Sequence, residues 1–364
     1  LPVVRDDRMV SGYGRMEQQS VLVGIYEKAH ARTVWDQGTP WSSENELFEP
    51  DYDRIMPWLE NAMERMPVFA QNGIRRVVHG AITHPPDGNM LLGPSGVTNI
   101  WLCCGSQVGI AWGPGAGKYL AQWMVHGAAD ISMASFDPRR FGARIDDAYR
   151  IEKAKEDYLL RHEIPVPQLD RPGCRPSHSK TSPLYQKLAQ QGAVYQDVYG
   201  WERPYWYARN DMPRAHIHAF RRSALHDVIG HEVNDLRAGA GIADLSAFSK
   251  LEIHGADVEA FLERVSSNKL PRSTGAISLT YFVNPKGRLE GEATCVRLSA
   301  NRFYLVYAAV KEAALLDWLR SQRQTGERVD FDNISETCGV LMLAGPKSRE
   351  ILARCTPVAL DNAS

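Results

Sequence analysis

Apolar and polar positions alternate over residues 1–30, through Met9-Val10, Tyr13-Gly-Arg-Met-Glu17 and Val21-Leu-Val-Gly-Ile-Tyr26. A period of two predicts a β-meander, turned near Gln18-Gln19. Residues 35–49 are polar and proline-marked and read as a surface loop. From Tyr52 to Met66 the period becomes helical, with Ile55, Met56, Leu59, Met63 and Met66 on one face. Ile74 to Val78 predicts a strand, and Thr83-His-Pro-Pro-Asp-Gly88 a turn. Asn99-Ile-Trp-Leu-Cys-Cys104 has the unbroken apolar character of a buried strand. A glycine-rich turn, Gly105 to Gly117, then leads to a helix over Lys118–His126 with Gly127 as its C-cap.

Asp137-Pro-Arg-Arg-Phe141 reads as a loop and Ala148 to Arg161 as a charged helix. Pro165-Val-Pro167 and Arg171-Pro-Gly-Cys-Arg-Pro176 cannot sustain a helix or a central strand. A domain boundary is therefore expected inside a linker at 137–181, between domains at 1–136 and 182–364. In the second domain Ser182-Pro-Leu-Tyr opens a helix, and strands are expected at 193–199, 241–245, 249–254, 276–283, 292–298, 302–307 and 339–344. Helices over 257–265, 313–319 and 348–354 interrupt them. Strand runs broken by helices give an α+β fold class.

The segment from Asn99 to Gly127 organises the first domain. A strand that feeds through glycines into a helix start points backbone N–H groups and a positive dipole end at one spot, which suits an anion or an electron-rich carbonyl. Neither familiar phosphate motif is present. A Walker A loop would need glycine where Trp112 stands and Ser or Thr where Tyr119 stands, and Gly113, Gly115 and Gly117 are spaced too tightly for the dinucleotide fingerprint. A tight turn that binds nothing has the same local pattern.

Composition narrows the class without naming a chemistry. The 364 residues allow two or three domains, and 44% hydrophobic with 23% charged residues is ordinary for globular protein. A net charge of −1 gives no sign of a nucleic-acid or membrane-surface partner, and no apolar run is long enough to span a bilayer. Six cysteines without C-x-x-C spacing are expected to be reduced and mostly buried. His216, His218, His226 and His231 cluster, but no acidic or cysteine ligand pattern accompanies them and no H-E-x-x-H follows, so no metal is expected. No G-x-S-x-G elbow exists. Glu290 and Glu292 follow the turn Asn284-Pro-Lys-Gly287 and, two apart on a strand, should share a face. Such a pair could serve a cationic ligand or simply be a solvated edge.

Taken together, these stretches resemble one family. Leu1-Pro-Val-Val-Arg, Tyr13-Gly-Arg, Pro86-Asp-Gly88, Leu92-Gly-Pro94 and the Gly105–Gly117 segment resemble the flavoprotein half of dimethylglycine and sarcosine dehydrogenases. Ser182-Pro-Leu-Tyr185, Gly200-Trp-Glu-Arg-Pro-Tyr-Trp206, Asp244-Leu-Ser246, the Gly287–Glu292 turn and Ala344-Gly-Pro346 are similar to their T-protein-like, aminomethyltransferase folate-binding half. The resemblance implies FAD and tetrahydrofolate as cofactors and oxidative demethylation of a small N-methyl amine. The amine gives a hydride equivalent to the flavin, and folate captures the carbon. Gly105, Ser106, Gln107, Gly109 and Ile110 would line the flavin ring, and Tyr13 matches a tyrosine at the amine site. Arg288, Glu290 and Glu292 would serve the folate, with Glu292 where the family usually has a catalytic aspartate. Arg288, Gly291 and Leu279 replace a usual glycine, aspartate and tyrosine. The electron acceptor implied is oxygen or an electron-transfer flavoprotein, in a bacterial cytoplasm or mitochondrial matrix. The Rossmann part of such proteins is not present, and the chain starts without Met and stops at Asp361-Asn-Ala-Ser364, so an internal fragment is expected. A stand-alone aminomethyltransferase and a non-catalytic relative of the pyruvate dehydrogenase phosphatase regulatory subunit are the alternatives.

Overall fold

The structure, a computed structural model, describes residues 3–7, 9–27, 32–34, 39–44, 47–142, 145–163, 173, 179–209, 212, 214 and 221–361. It is a mixed helix and sheet protein with two compact units. One comprises Leu1–Leu91, Cys104–Pro114 and Asp146–Leu169; the other comprises Leu92–Cys103, Gly115–Ile145 and Asp170–Ser364.

The first unit opens with an antiparallel sheet of β1 (Val4–Asp6), β2 (Gly12–Glu17) and β3 (Ser20–Ile25), paired in that order. The turn between β2 and β3 falls at Gln18, φ +55°, as the alternation predicts. The first strand is displaced from Met9-Val10. Asp6 Oδ1 accepts from both their backbone N–H groups, at 2.8 and 3.4 Å, and folds that dipeptide into a turn. α1 (Tyr52–Arg65) starts where Asp51 Oδ1 accepts from Arg54 N at 3.0 Å, an ordinary N-cap. Residues 74–78, expected as a strand, form none: no neighbouring strand among the described residues offers a ladder, and their apolar side chains stay largely exposed.

β4 (Leu91–Pro94) pairs with β5 (Trp101–Cys104), and α2 (Gly109–His126) follows. Here two expectations are corrected. β5 is not buried, since Cys103 and Cys104 are exposed, and the helix starts nine residues before Lys118. Nothing lies within 4 Å of where a Cβ would stand at Gly113, Gly115 or Gly117, so these glycines face open space and the backbone coils through them. The true turn is short, and Gly105 (φ +77°) is the glycine it requires, because a Cβ there would stand 2.6 Å from Pro85 Cγ. Gly127 (φ +75°) does cap α2, its N–H donating to Trp123 O at 2.9 Å. α3 (Asp147–Glu163) comes next.

The second unit continues with α4 (Tyr185–Gln190) and the hairpin of β6 (Ala193–Val198) and β7 (Trp201–Tyr207). Its two-residue loop, Tyr199-Gly200, has φ of +52° and +79°, the signature of a type I′ turn. α5 (Leu225–Ala238), which the sequence reading does not anticipate, sets Val228 against Val194 and Trp206. β8 (Gly241–Asp244) leads to β9 (Ser249–His254), α6 (Val258–Val265), β10 (Ile277–Val283), β11 (Leu289–Ser299), β12 (Arg302–Tyr307), α7 (Glu312–Gln322), β13 (Asp330–Asn333), β14 (Leu341–Ala344) and α8 (Ser348–Ala353). An antiparallel sheet of order β10-β11-β12-β9-β13 carries the main core, while β14 pairs with β8. Leu251, Ile253, Phe282, Cys295, Phe303 and Leu305 of that sheet meet Phe261, Leu262, Leu315 and Leu319 of α6 and α7. Cys295 is the buried cysteine; Cys103, Cys104, Cys338 and Cys355 are exposed, against expectation, and Cys174 lies outside the described residues.

Candidate functional site

Arg5, Tyr13 and Gly24 are direct partners across β1, β2 and β3, so Arg5 and Tyr13 project from one face of the sheet. Gly24 is required by that packing: a Cβ would run into the Tyr13 ring. The Tyr13 ring lies 5.8 Å from Tyr26, and Tyr26 stacks on His162 at 4.0 Å. His162 contacts Tyr158 at 4.7 Å, and Tyr158 meets the edge of His84 at 5.7 Å. The charged helix α3 thus supplies one wall, through the i,i+4 pairs Asp157–Arg161 and Tyr158–His162. Sequence reasoning missed all four side chains, although that spacing was there to be read.

His84 ties this wall to the segment ahead of α2. Its Nε2 lies 2.7 Å from Asp157 Oδ2, and the same oxygen accepts from Arg161 Nε at 2.6 Å. The guanidinium on that oxygen makes a charge-assisted contact, and the one carboxylate oxygen joins the histidine to α3. Arg161 also donates to Asp87 O at 3.2 Å. Gln107 Nε2 donates to Gly88 O at 3.2 Å, its amide resting against the His84 ring, and Thr83 Oγ1 donates to Ser106 O at 3.3 Å. The Thr83–Gly88 turn is therefore a cradle for Gly105, Ser106 and Gln107. Gly109 and Ile110 begin α2 and are exposed, Ile110 by 98%.

Burial sets the electrostatics. The Tyr158 phenol is pushed up to about 12 and Tyr26 is also raised, both chiefly by desolvation. His162 is pushed down to about 4 by burial, with Arg5, His84 and Arg161 adding positive charge nearby. It is neutral at pH 7, and the unfolded chain binds more protons between its ordinary value of 6.5 and about 4. Stability should thus fall as pH drops through that window. After allowing for partial solvent screening, roughly 1–2 kcal/mol is expected to be lost. His162→Phe keeps the stack and removes the titration, so urea unfolding between pH 7 and pH 4 should show a shallower decline. Equal declines in both proteins would refute a neutral, buried His162.

In the second unit, Glu290 and Glu292 do share the outer face of β11, opposite buried Gly291 and Ala293. Glu290 accepts from Asn284 Nδ2 at 2.8 Å, and Glu292 is exposed beside its cross-strand partner Tyr281. Arg288 is not gathered with them: it donates to Asp130 O at 2.7 Å, and Lys286 Nζ lies 3.2 Å from Asp130 Oδ1. Lys311, whose ammonium is pushed down by burial and partly restored by Glu290, donates to Ser132 Oγ at 3.0 Å. Of the histidine cluster, His226 and His231 are exposed on α5, and His216 and His218 lie outside the described residues. Glu252, His254 and Asp332 bring three ligand atoms within 4.8 Å of one another. Arg302 already takes both Glu252 oxygens, and Asp332 takes His254 Nε2. No helix among the described residues is long and apolar enough to cross a membrane.

Two family models match the chain: FAD dependent oxidoreductase over residues 1–123 and GCVT N-terminal domain over residues 184–364. Human mitochondrial dimethylglycine dehydrogenase is 33% identical over 368 residues, covering 100% of this chain and 42% of that protein. Human mitochondrial sarcosine dehydrogenase is 28% identical over 409 residues, covering 100% and 43%. The 4-methylaminobutanoate oxidase (formaldehyde-forming) of Paenarthrobacter nicotinovorans is 28% identical over 364 residues, covering 98% and 43%. The chain spans about two fifths of the length of these relatives.

Proposed function

Because the chain belongs to the family of the dimethylglycine and sarcosine dehydrogenases, we propose that it is the ring-facing and folate-facing part of an enzyme that oxidatively demethylates a small N-methyl amine and passes the carbon to tetrahydrofolate. The observation that carries this reading is the order of the two family halves along one chain, joined to the cluster that links Tyr13 with Gln107. FAD, when bound, supplies the two-electron acceptor for the amine.

The residues present suit that cofactor. Ser106 Oγ is buried with no hydrogen-bond partner among the described residues, and α2 starts beside it with its positive dipole end. Gly105, Ser106, Gln107, Gly109 and Ile110 would hold the ring, with the Thr83–Gly88 cradle fixing the first three. Tyr13 orients the amine through a hydroxyl that makes no hydrogen bond among the described residues. Glu292 offers its exposed carboxylate to the folate nitrogen that captures the released carbon, with Glu290 beside it and Arg288 at the turn. Oxygen or an electron-transfer flavoprotein takes the electrons onward, in a mitochondrial matrix or bacterial cytoplasm.

The test is made on the full-length protein. It should carry the yellow flavin band and reduce a dye with dimethylglycine, sarcosine or 4-methylaminobutyrate. Glu292→Gln should leave dye reduction intact and lower 5,10-methylenetetrahydrofolate formation by about 100-fold. A protein without flavin and without turnover would sink the proposal and favour a non-catalytic role; folate-dependent transfer without flavin would favour an aminomethyltransferase.

A further inference from the structure

The substrates named for the three relatives, dimethylglycine, sarcosine and 4-methylaminobutanoate, share a methylated nitrogen and a carboxylate at the other end. A site that takes such a molecule has to satisfy that carboxylate, and a guanidinium does so best, with two parallel N–H donors. Other arginines of this unit can be sorted by what they already hold. Arg54 is forked onto both oxygens of Glu27. Arg161 is committed to Asp157 and Asp87 O. Arg65 is held by Asp6 at Nε alone, but it is not a cross-strand partner of Tyr13.

Arg5 is different. It is the direct cross-strand partner of Tyr13, so the two side chains leave the sheet together. Its guanidinium lies 5.3 Å from the centre of the Tyr26 ring, which steadies it by a cation–π contact. Asp7 Oδ1 accepts from Nε at 2.5 Å. The two terminal nitrogens make no hydrogen bond among the described residues, and the side chain is 46% exposed. A guanidinium pinned at Nε and over a ring, with its outer pair of nitrogens open, is pre-set for end-on capture of a carboxylate.

We propose that Arg5 binds the carboxylate of the N-methyl amine substrate beside Tyr13, and so selects amino acids over simple amines. This rests on the function proposed above. It adds a recognition role in which Tyr13 faces the nitrogen end and Arg5 the acid end, with no bond made or broken at either.

Arg5→Gln in the full-length protein should raise KM for dimethylglycine about 30–300-fold, with kcat within about threefold of the parent. Oxidation of dimethylethylamine, which lacks the carboxylate, should not change. Arg5→Lys keeps the charge but loses the two-point fork, and should raise KM about tenfold. Calorimetry with (methylthio)acetate, a carboxylate whose thioether stands in for the amine, should show the same loss of affinity without any turnover. Equal changes for dimethylglycine and dimethylethylamine, or unchanged (methylthio)acetate binding in both variants, would overturn the assignment. Should neither amine reduce the dye in the parent protein, the function proposed above fails, while the calorimetric comparison still decides whether Arg5 binds a carboxylate.

Discussion

Gly88→Ala is expected to destabilise the first unit by about 3–5 kcal/mol, far more than a single methyl group would suggest. Gly88 sits at φ +69°, where a side chain costs about 1–2 kcal/mol by itself. The larger part comes from what the methyl would meet: Arg161 Nε at 2.6 Å, with Asp157 Oδ2 on the same side. Asp157 is 1% exposed and accepts from both Arg161 and His84, so displacing it strands buried polar groups. Urea unfolding followed by hydrogen exchange on α3 would measure the loss. Gly96→Ala is the control: its φ is +90° but nothing lies within 4 Å, so only the backbone cost should appear. In an Asp157→Ala background the Gly88 effect should shrink toward that backbone cost, because Arg161, no longer held by Asp157, can swing away from the methyl. A full-sized effect there would mean that the methyl clashes elsewhere.

Phe261→Ala should cost about 3–5 kcal/mol in the second unit. Phe261 is 0% exposed on the inner face of α6 and meets the edge of Phe331 at 5.7 Å. Val258, Leu262 and Val265 fill the same face, so the void has little room to collapse. Ile277→Ala, at 66% exposure on β10, should change stability by less than about 0.5 kcal/mol. Chemical denaturation of both variants tests the contrast; similar losses would mean the core is not where α6 meets the sheet.

Periodicity located most of the elements of the second unit, because its antiparallel sheet faces solvent on one side and keeps a clean alternation. Glu290 and Glu292 could be placed on one face for that reason alone. Periodicity failed where context overrules local preference. Glycines at 113, 115 and 117 read as a turn, yet Ala116 and Leu120 bury one side of the same segment and keep it helical. β13, Asp-Phe-Asp-Asn, is too polar to announce itself and is a strand because β9 offers it an edge. α5 packs a short apolar side, Leu225 and Val228, among histidines and acids, too little to mark a helix by periodicity. The candidate site was half legible: Tyr13 and Gln107 entered by resemblance, whereas His84 and Asp157 depend on a contact between segments 73 residues apart and His162 on its stack with Tyr26.

The pairing of β8 with β14 joins residues 241–244 to 341–344. Closing a loop of that length costs about 4 kcal/mol in chain entropy before any contact repays it. A ribosome adding about 5–20 residues per second needs roughly 5–20 s between the two strands. Throughout that interval the emerging β8 has no mate, and its bare hydrogen-bonding edge is open to another nascent copy. Codon choice between positions 245 and 340 should therefore govern the soluble yield of this chain more than codon choice after 344.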